Sequence, residues 1–317
     1  SGTDESANIQ PYADYLTIAD GVGTVEGGKS DIFDITAKVK VDLTVGSGVY
    51  LPCTSVNGNI GEGLFNEGIL TVSGVTAKST TCGDIPPSVT IDKVFDSAIE
   101  SATLGEFDVT YTITVTNLGG SDETYELSDT FAPDDDIVLV GGDPVAAWDV
   151  SSTSSTDESA NIQVYPDYLT IAAGVGTVEG GTTDVFKVTA TVKFDIGGAG
   201  DQTYTKCTSV DGNIDEGLFN RGTIVVGGVT VSDDTCGDLP PSVSIDKTFV
   251  SAIESATPGE YDVLYAITVA NIGGLTEVYE LSDDFAPDDN VVLIGGDPVA
   301  AWSASSTSGT DESANIQ

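Results

Sequence analysis

The run at 107–117, FDVTYTITVTN, decides the fold. Phe107, Val109, Tyr111, Ile113 and Val115 fall on one side of a two-residue period, and Asp108, Thr110, Thr112, Thr114 and Thr116 fall on the other. Successive side chains of a strand point to opposite faces, so this alternation predicts a half-buried antiparallel strand. A second such strand is expected at 33–41, with Phe33, Ile35, Ala37, Val39 and Val41 inward, and 186–194 repeats it. Turn signals lie between the periodic runs at Asn57-Gly58, Ser73-Gly74 and Gly227-Gly228, the last two flanked by valines as a tight hairpin would be. Apolar residues nowhere recur at helical spacing for three turns, and β-branched residues dominate the periodic segments. The expected fold is all-β, a series of tandem immunoglobulin-like antiparallel β-sandwiches with almost no helix.

The chain repeats itself. GGDPVAAW at Gly141–Trp148 returns unchanged at Gly295–Trp302, 154 residues later, and the cysteines keep the same offset. SAIESATLGEFDVTYTITVTNLGG from Ser97 is answered by SAIESATPGEYDVLYAITVANIGG from Ser251. A repeating unit of this length, present twice, predicts an array of modules. SGTDESANIQ occupies both Ser1–Gln10 and Ser308–Gln317, and SSTDESANIQ occupies Ser154–Gln163. This pattern suggests a window on a longer array, or one repeating unit of a filament.

Each repeat divides into two halves at the Ser/Thr-rich run from Asp149 and at Pro86-Pro87 and Pro240-Pro241. The Ser/Thr-rich run reads as a polar linker and the paired prolines as short stiff joints. The expected organisation is a linker at 1–10, disulfide-bearing half-repeats at 11–86 and 164–240, half-repeats of a second type at 87–148 and 241–302, and linkers at 149–163 and 303–317. Each half holds about six candidate strands, enough for a small sandwich. A single larger sandwich spanning both halves is the alternative.

Fifty-one Asp plus Glu stand against ten Lys plus Arg, a formal charge of −41, and such a surface repels nucleic acid and anionic membranes. The acids are scattered over loops, which suits a soluble surface, divalent cations or high salt. No apolar run approaches the roughly 20 residues that span a bilayer, so no membrane insertion is expected in this segment. No charged-then-apolar leader opens the chain, and any export signal or anchor is expected outside it. Cys53 with Cys82, and Cys207 with Cys236, form two equally spaced pairs without the close spacing a zinc site needs. Disulfides within each repeat are expected, each worth roughly 3 to 4 kcal/mol in the chain-entropy model. They point to an oxidising, extracellular setting.

PSVTIDKVF, then YTITVTNLGG, then YELSDTFAPDDDIVLV resembles the domain-of-unknown-function family numbered eleven, the conserved repeat domain of prokaryotic surface proteins. GLFNEGILTVSGVTAKSTTCGDIPP is similar to the tail that often accompanies it. The resemblance implies secreted or wall-associated β-sandwich arrays at the cell surface, without known catalysis. In that family's frame the full repeat runs from Pro87 to Pro240.

Candidate chemistry is sparse. Calcium is the first cofactor to consider, because carboxylates cluster at Asp134, Asp135 and Asp136, at Asp288 and Asp289, and at Asp211 and Asp215 within DGNIDEG. That last segment departs from an EF-type loop: its Gly falls one place late, no Glu closes it, and the first copy reads NGNIGEG. Solvated acidic loops are the simpler reading. A Lys-to-Asn isopeptide bond promoted by a buried carboxyl is a known staple of bacterial surface sandwiches. Lys93 with Asn117, and Lys247 with Asn271, are candidates for it, with Asp129 and Asp283 as the acids. The plainer reading makes each Asn a turn residue before Gly-Gly. Thr110, Thr112 and Thr116 become Leu264, Ala266 and Ala270 in the second copy, a change that drift or an assembly contact would produce. Trp148 and Trp302 are expected to cap a core, or to stack on a sugar.

The chain has no His, no G-x-S-x-G elbow and no phosphate loop, and identical modules multiply length and valency rather than active sites. A carboxylate pair of glycosidase type is the enzyme reading that survives this filter. The expected function is structural: a repeat unit of an extracellular filament or stalk whose partner is itself, through neighbouring repeats or subunits. A calcium-dependent adhesin that binds a glycan or a partner cell is the alternative.

Overall fold

The computed structural model describes residues 4–42, 50–141, 148–152, 156–166, 168–197, 203–294 and 312. Its strands in chain order are β1 (Ile9–Pro11), β2 (Leu16–Ile18), β3 (Asn66–Val72), β4 (Val75–Thr81), β5 (Val89–Glu100), β6 (Glu106–Asn117), β7 (Glu123–Phe131) and β8 (Ile137–Leu139). They continue as β9 (Trp148–Ser152), β10 (Ile162–Val164), β11 (Tyr168–Val178), β12 (Thr183–Phe194), β13 (Asn220–Val226), β14 (Val229–Thr235), β15 (Val243–Glu254) and β16 (Tyr261–Asn271). No α-helix occurs among the described residues, and every strand pairing is antiparallel. The all-β reading therefore holds.

Strands β5 to β14 form one sandwich. One sheet runs β5-β6-β12-β8, with β9 also on β12, and the other runs β10-β11-β7-β13-β14. The alternation at 107–117 behaves as expected: Phe107, Val109, Tyr111, Ile113 and Val115 are fully buried. They meet Tyr125 and Leu127 of β7, Leu169 and Ile171 of β11, Phe186 and Val188 of β12, and Ile224 of β13 in a single core. Apolar burial of this kind contributes about 25 cal/mol per Å², so the core lies where both sheets are complete.

The strand pairing corrects the expected division into half-repeat sandwiches. β7, from 87–148, lies between β11 and β13, both from 164–240. β12, from 164–240, lies between β6 on one side and β8 and β9 on the other. Each segment thus supplies strands that complete sheets of the other, and the two make one module. The Ser/Thr-rich run is likewise not a free linker. It begins in β9, continues after the undescribed residues into a 3-10 turn at Glu158–Asn161, and ends in β10. Residues 1–10, expected as a linker, include a 3-10 turn at Ser6–Asn8 and enter β1. The expected linker at 303–317 lies outside the described residues apart from 312.

The incomplete copies show the converse. In 4–86 and 241–275 the strand pairings among the described residues are local, β1 with β2, β3 with β4, and β15 with β16. The expected strand at 33–41 is not formed: Phe33, Ile35 and Val39 are exposed, whereas their counterparts Phe186, Val188 and Val192 are fully buried in β12. The reason is topological, because β12 is held by β6, β8 and β9, and 11–86 contains no counterpart of any of them. Residues 1–275 form one compact unit and 276–317 another. Within the described part of the second unit, 276–294, no strand is formed, although its counterpart in the first copy contains β7 and β8.

Local chemistry fixes the turns and joints. Ser73 and Gly74 between β3 and β4, and Gly227 and Gly228 between β13 and β14, all take positive φ, the type I′ geometry that matches hairpin twist. The proline joints are anchored: Ile85 O accepts from Gly120 N at 3.1 Å and Ser121 N at 3.0 Å, and at the next joint Pro240 O accepts from Gly274 N and Leu239 O from Leu275 N. Both expected disulfides are formed, Cys53–Cys82 and Cys207–Cys236. Inside each disulfide loop a glutamate gathers the backbone. Glu62 accepts from Thr54 N, Asn59 N and Asn59 Nδ2, and Glu216 accepts from Thr208 N, Asn213 N and Asn213 Nδ2.

Two outcomes follow from this arrangement. Leu127→Ala, in the centre of the core, is expected to lower unfolding stability by about 2 to 5 kcal/mol, measured by chemical denaturation. Hydrogen bonds, first from the Asn59 side chain and then from Thr54 N, pull the Glu62 carboxyl down from 4.5 to about 2. A lowered folded pKa contributes stability above the unfolded value that is lost as pH falls through the folded one. The Thr54 and Asn59 amide resonances should therefore hold their positions down to pH 4.5 and shift as pH falls toward 2; a shift complete by pH 4 would refute the clasp.

Candidate functional site: a buried lysine, aspartate and asparagine

Alternation along β5 points Ile91, Lys93 and Phe95 toward the facing sheet, which puts a lysine where a hydrophobe is expected. The Lys93 side chain is fully buried, and its Nζ donates to Oδ1 of Asp129, equally buried on β7. The second carboxylate oxygen, Asp129 Oδ2, accepts from Nδ2 of Asn220 at 3.3 Å. Asn220 opens β13, is fully buried, and its carbonyl oxygen Oδ1 has no hydrogen-bond partner. One carboxylate thus bridges an amine and a carboxamide, with three strands supplying one residue each.

The surroundings hold this cluster in place. Lys93 Nζ sits 5.1 Å from the centroid of the Tyr111 ring, and Tyr111 OH donates to Leu218 O at 2.7 Å. Gly222 pairs opposite Asp129 in the β13–β7 ladder. A Cβ there would come within 3.3 Å of Lys93 Cδ and 3.0 Å of Ile91 Cδ1, so the missing side chain leaves room for the lysine stem. Lys93 N also donates to Asp233 Oδ2 on β14 at 2.6 Å, which ties the edge of one sheet to the other.

Burial acts on the lysine's charge. Desolvation is the largest influence on Lys93 and pushes its pKa down toward the neutral amine, opposed by the Asp129 charge. A neutral buried amine is a nucleophile, and a carboxamide whose carbonyl oxygen lacks a partner is open to polarisation by an acid. The cluster thus gathers the three groups that a Lys-to-Asn amide would need, an amine and a carboxamide with a carboxylate between them.

The asparagine of the cluster is not the expected one. Asn117 pairs with Val89 across β5–β6, four positions along the strand from Lys93, or roughly 13 Å. Its side chain shapes the turn instead, with Oδ1 accepting from Ser88 N and Gly119 N and Nδ2 donating to Ser121 O. Asn271 repeats this role, accepting from Ser242 N and Gly273 N, so the strand register brings neither Asn117 to Lys93 nor Asn271 to Lys247. Lys247 is exposed on β15 and lies 5.1 Å from the Tyr265 ring.

The acidic groups are placed as follows. Asp134, Asp135 and Asp136 bring carboxylate oxygens within 4.8 Å of one another. Asp134 accepts from Asp136 N and Thr205 N, and Asp136 from Thr203 N at 2.9 Å, so these two clamp the 203–205 segment onto the first half of the module. Asp211 and Asp215 are exposed, and Asp215 has φ 66° in the turn. Asp288 accepts from Asn290 N and Nδ2, and Asp289 is exposed. Leu264 is 55% exposed on β16, with Ala266 exposed and Ala270 half-buried beside it. The Trp148 backbone opens β9, while its side chain and all of Trp302 lie outside the described residues.

No protein-family model matches the chain, and no curated protein matches it. Among solved structures it is similar to a two-domain portion of the major pilin SpaD from Corynebacterium diphtheriae, at 13% identity and a TM-score of 0.28, over 54% of this chain and 58% of that one. A variant of BcpA, the major pilin subunit of Bacillus cereus, matches at 11% identity and a TM-score of 0.30, over 66% of this chain and 63% of that one. An exo-β-N-acetylglucosaminidase from Vibrio harveyi matches at 10% identity and a TM-score of 0.23, over 52% of this chain and 20% of that one. The chain thus spans less than two thirds of the length of each of these proteins.

Proposed function

We propose that this chain is a non-catalytic structural length of an extracellular, cell-surface filament or stalk, and that each complete module is closed by an amide between Lys93 and Asn220. The observation that carries this reading is the position of the buried cluster. It joins the first strand of the module, β5, to the last hairpin, β13–β14, through a residue of β7. A tether there routes tension past almost everything between the two residues. The Cys207–Cys236 disulfide spans Asn220 and continues the covalent path toward the proline joint.

The step balances without a co-reactant. Asp129 takes a proton from Lys93 Nζ, the amine lone pair attacks Asn220 Cγ, and the new C–N bond forms as the C–Nδ2 bond breaks. Asp129 passes that proton to the departing nitrogen, which leaves as ammonia, and then takes the second proton from the attacking nitrogen, so that a neutral amide remains. A cross-link closing so long a loop is worth about 5 kcal/mol in the chain-entropy model. The acidic surface would keep filaments dispersed, and the disulfides suit an oxidising exterior.

The monomer should be lighter by one ammonia than its sequence requires in intact mass measurement. Lys93→Ala, Asp129→Ala and Asn220→Ala should each restore the full mass, and Asn117→Ala should not. Under force, Asn220→Ala should add an extension of roughly 400 Å that the unaltered module lacks. Full mass in the unaltered chain would sink the amide.

A further inference from the structure

The two incomplete copies are complementary halves of the module just described. Residues 241–294 carry the counterparts of β5 to β8, and residues 4–86 carry the counterparts of β10 to β14. Each exposes the apolar face that the central module buries. Val263, Tyr265, Tyr279 and Leu281 are between 37% and 52% exposed, where Val109, Tyr111, Tyr125 and Leu127 are at most 1% exposed. On the other half Leu64 and Leu70 are 41% and 63% exposed, where Leu218 and Ile224 are fully buried. The reactive residues are divided in the same way. Lys247 and Asp283 correspond to Lys93 and Asp129, Asn66 corresponds to Asn220, and Gly68 repeats the glycine that admits the lysine stem. Asn66 and Lys247 are both exposed.

We propose that residues 241–294 of one copy and residues 4–86 of a second copy of this chain fold together into a module like the central one, and that Lys247 of the first is then joined to Asn66 of the second. The central module is the template: β7 needs a neighbour on each side and β12 needs β6, and across the junction each half supplies what the other lacks. The bond forms between Lys247 Nζ and Asn66 Cγ, the Cγ–Nδ2 bond breaks, and Asp283 carries the proton to the departing ammonia. In a chain continued by further repeats the same pairing runs through the backbone. Between separate copies it makes a head-to-tail covalent polymer that needs no added enzyme. The covalent part rests on the Lys93–Asn220 reading, whereas the strand pairing stands on the exposed faces alone.

The test uses the purified 32.5-kDa chain of residues 1–317, incubated and then resolved by denaturing, reducing electrophoresis and intact mass. The expected result is a ladder of multimers, each junction lighter by one ammonia in addition to one for every central module. Asn66→Ala and Lys247→Arg should each abolish the ladder and leave a monomer that still lacks one ammonia. Mixing Asn66→Ala chains with Lys247→Ala chains should give dimers and stop there, because each mixture member retains one competent end. A monomer lacking one ammonia with no ladder would overturn the junction while sparing the Lys93–Asn220 bond. A monomer lacking two would show that the chain closes on itself, which also overturns it. Full-mass monomer would remove both bonds at once; size-exclusion chromatography under native conditions then decides whether the halves still pair, and a monomeric profile would end the pairing as well.

Discussion

The structure depends on interleaving. β7 has no neighbour from its own half of the repeat, and β12 is held on both sides by strands of the other half. Side chains cross the same divide: Tyr111 OH donates to Leu218 O, and Tyr125 OH donates to Asp184 Oδ2 at 2.7 Å. Neither half can bury its apolar face alone, so the stable unit is the pair. Pairings this distant in sequence must close long loops before they contribute, which makes folding slow and leaves early halves exposed.

Interleaving also explains how a lysine comes to lie in the core. A buried ion pair is a weak source of stability, since desolvating both charges offsets much of their attraction. Lys93 and Asp129 are fully buried all the same, and Asn220 adds an unpartnered carbonyl oxygen. In a cluster kept only for stability, apolar residues would serve as well. The proposed amide would replace the ammonium and the carboxamide by one neutral group, removing the lysine charge from the interior and fixing the two halves to each other. On the proposed reading, the cost of burying the cluster would be offset by a covalent link that ordinary packing does not supply.

Much of this was legible in the sequence, and what was not has a common cause. The two-residue period at 107–117, the hairpin glycines and the cysteine pairs are local signals, and the structure agrees with each. The division into halves was misread because a Ser/Thr-rich run resembles a linker whether or not its ends are strands, as Trp148–Ser152 and Ile162–Val164 are. Register between distant strands leaves no local mark. For the same reason Lys93 and Asp129 were identifiable as unusual residues in strand-like runs, but their third partner was not. Asn117 is near Lys93 in sequence and conspicuous before Gly-Gly, whereas Asn220 is brought in by β13 from 127 positions away. A signal did exist: Leu-Phe-Asn followed two residues later by glycine occurs in both copies, at Leu64–Gly68 and Leu218–Gly222.

Charge sets the last constraint. A chain at −41 repels its own copies, and at 0.1 M salt that repulsion reaches about 10 Å before it is screened. Repulsion of this range opposes any weak lateral contact between acidic surfaces. An end-to-end junction of the proposed kind would complete a hydrophobic core and so bury apolar area over a far larger surface than one contact. A covalent seal placed inside that core would make the joint indifferent to later changes in salt or dilution. On the proposed reading, dispersion and permanent joints are thus compatible demands in one sequence, because the charge acts on the surface whereas the lysine, aspartate and asparagine of the cluster are buried.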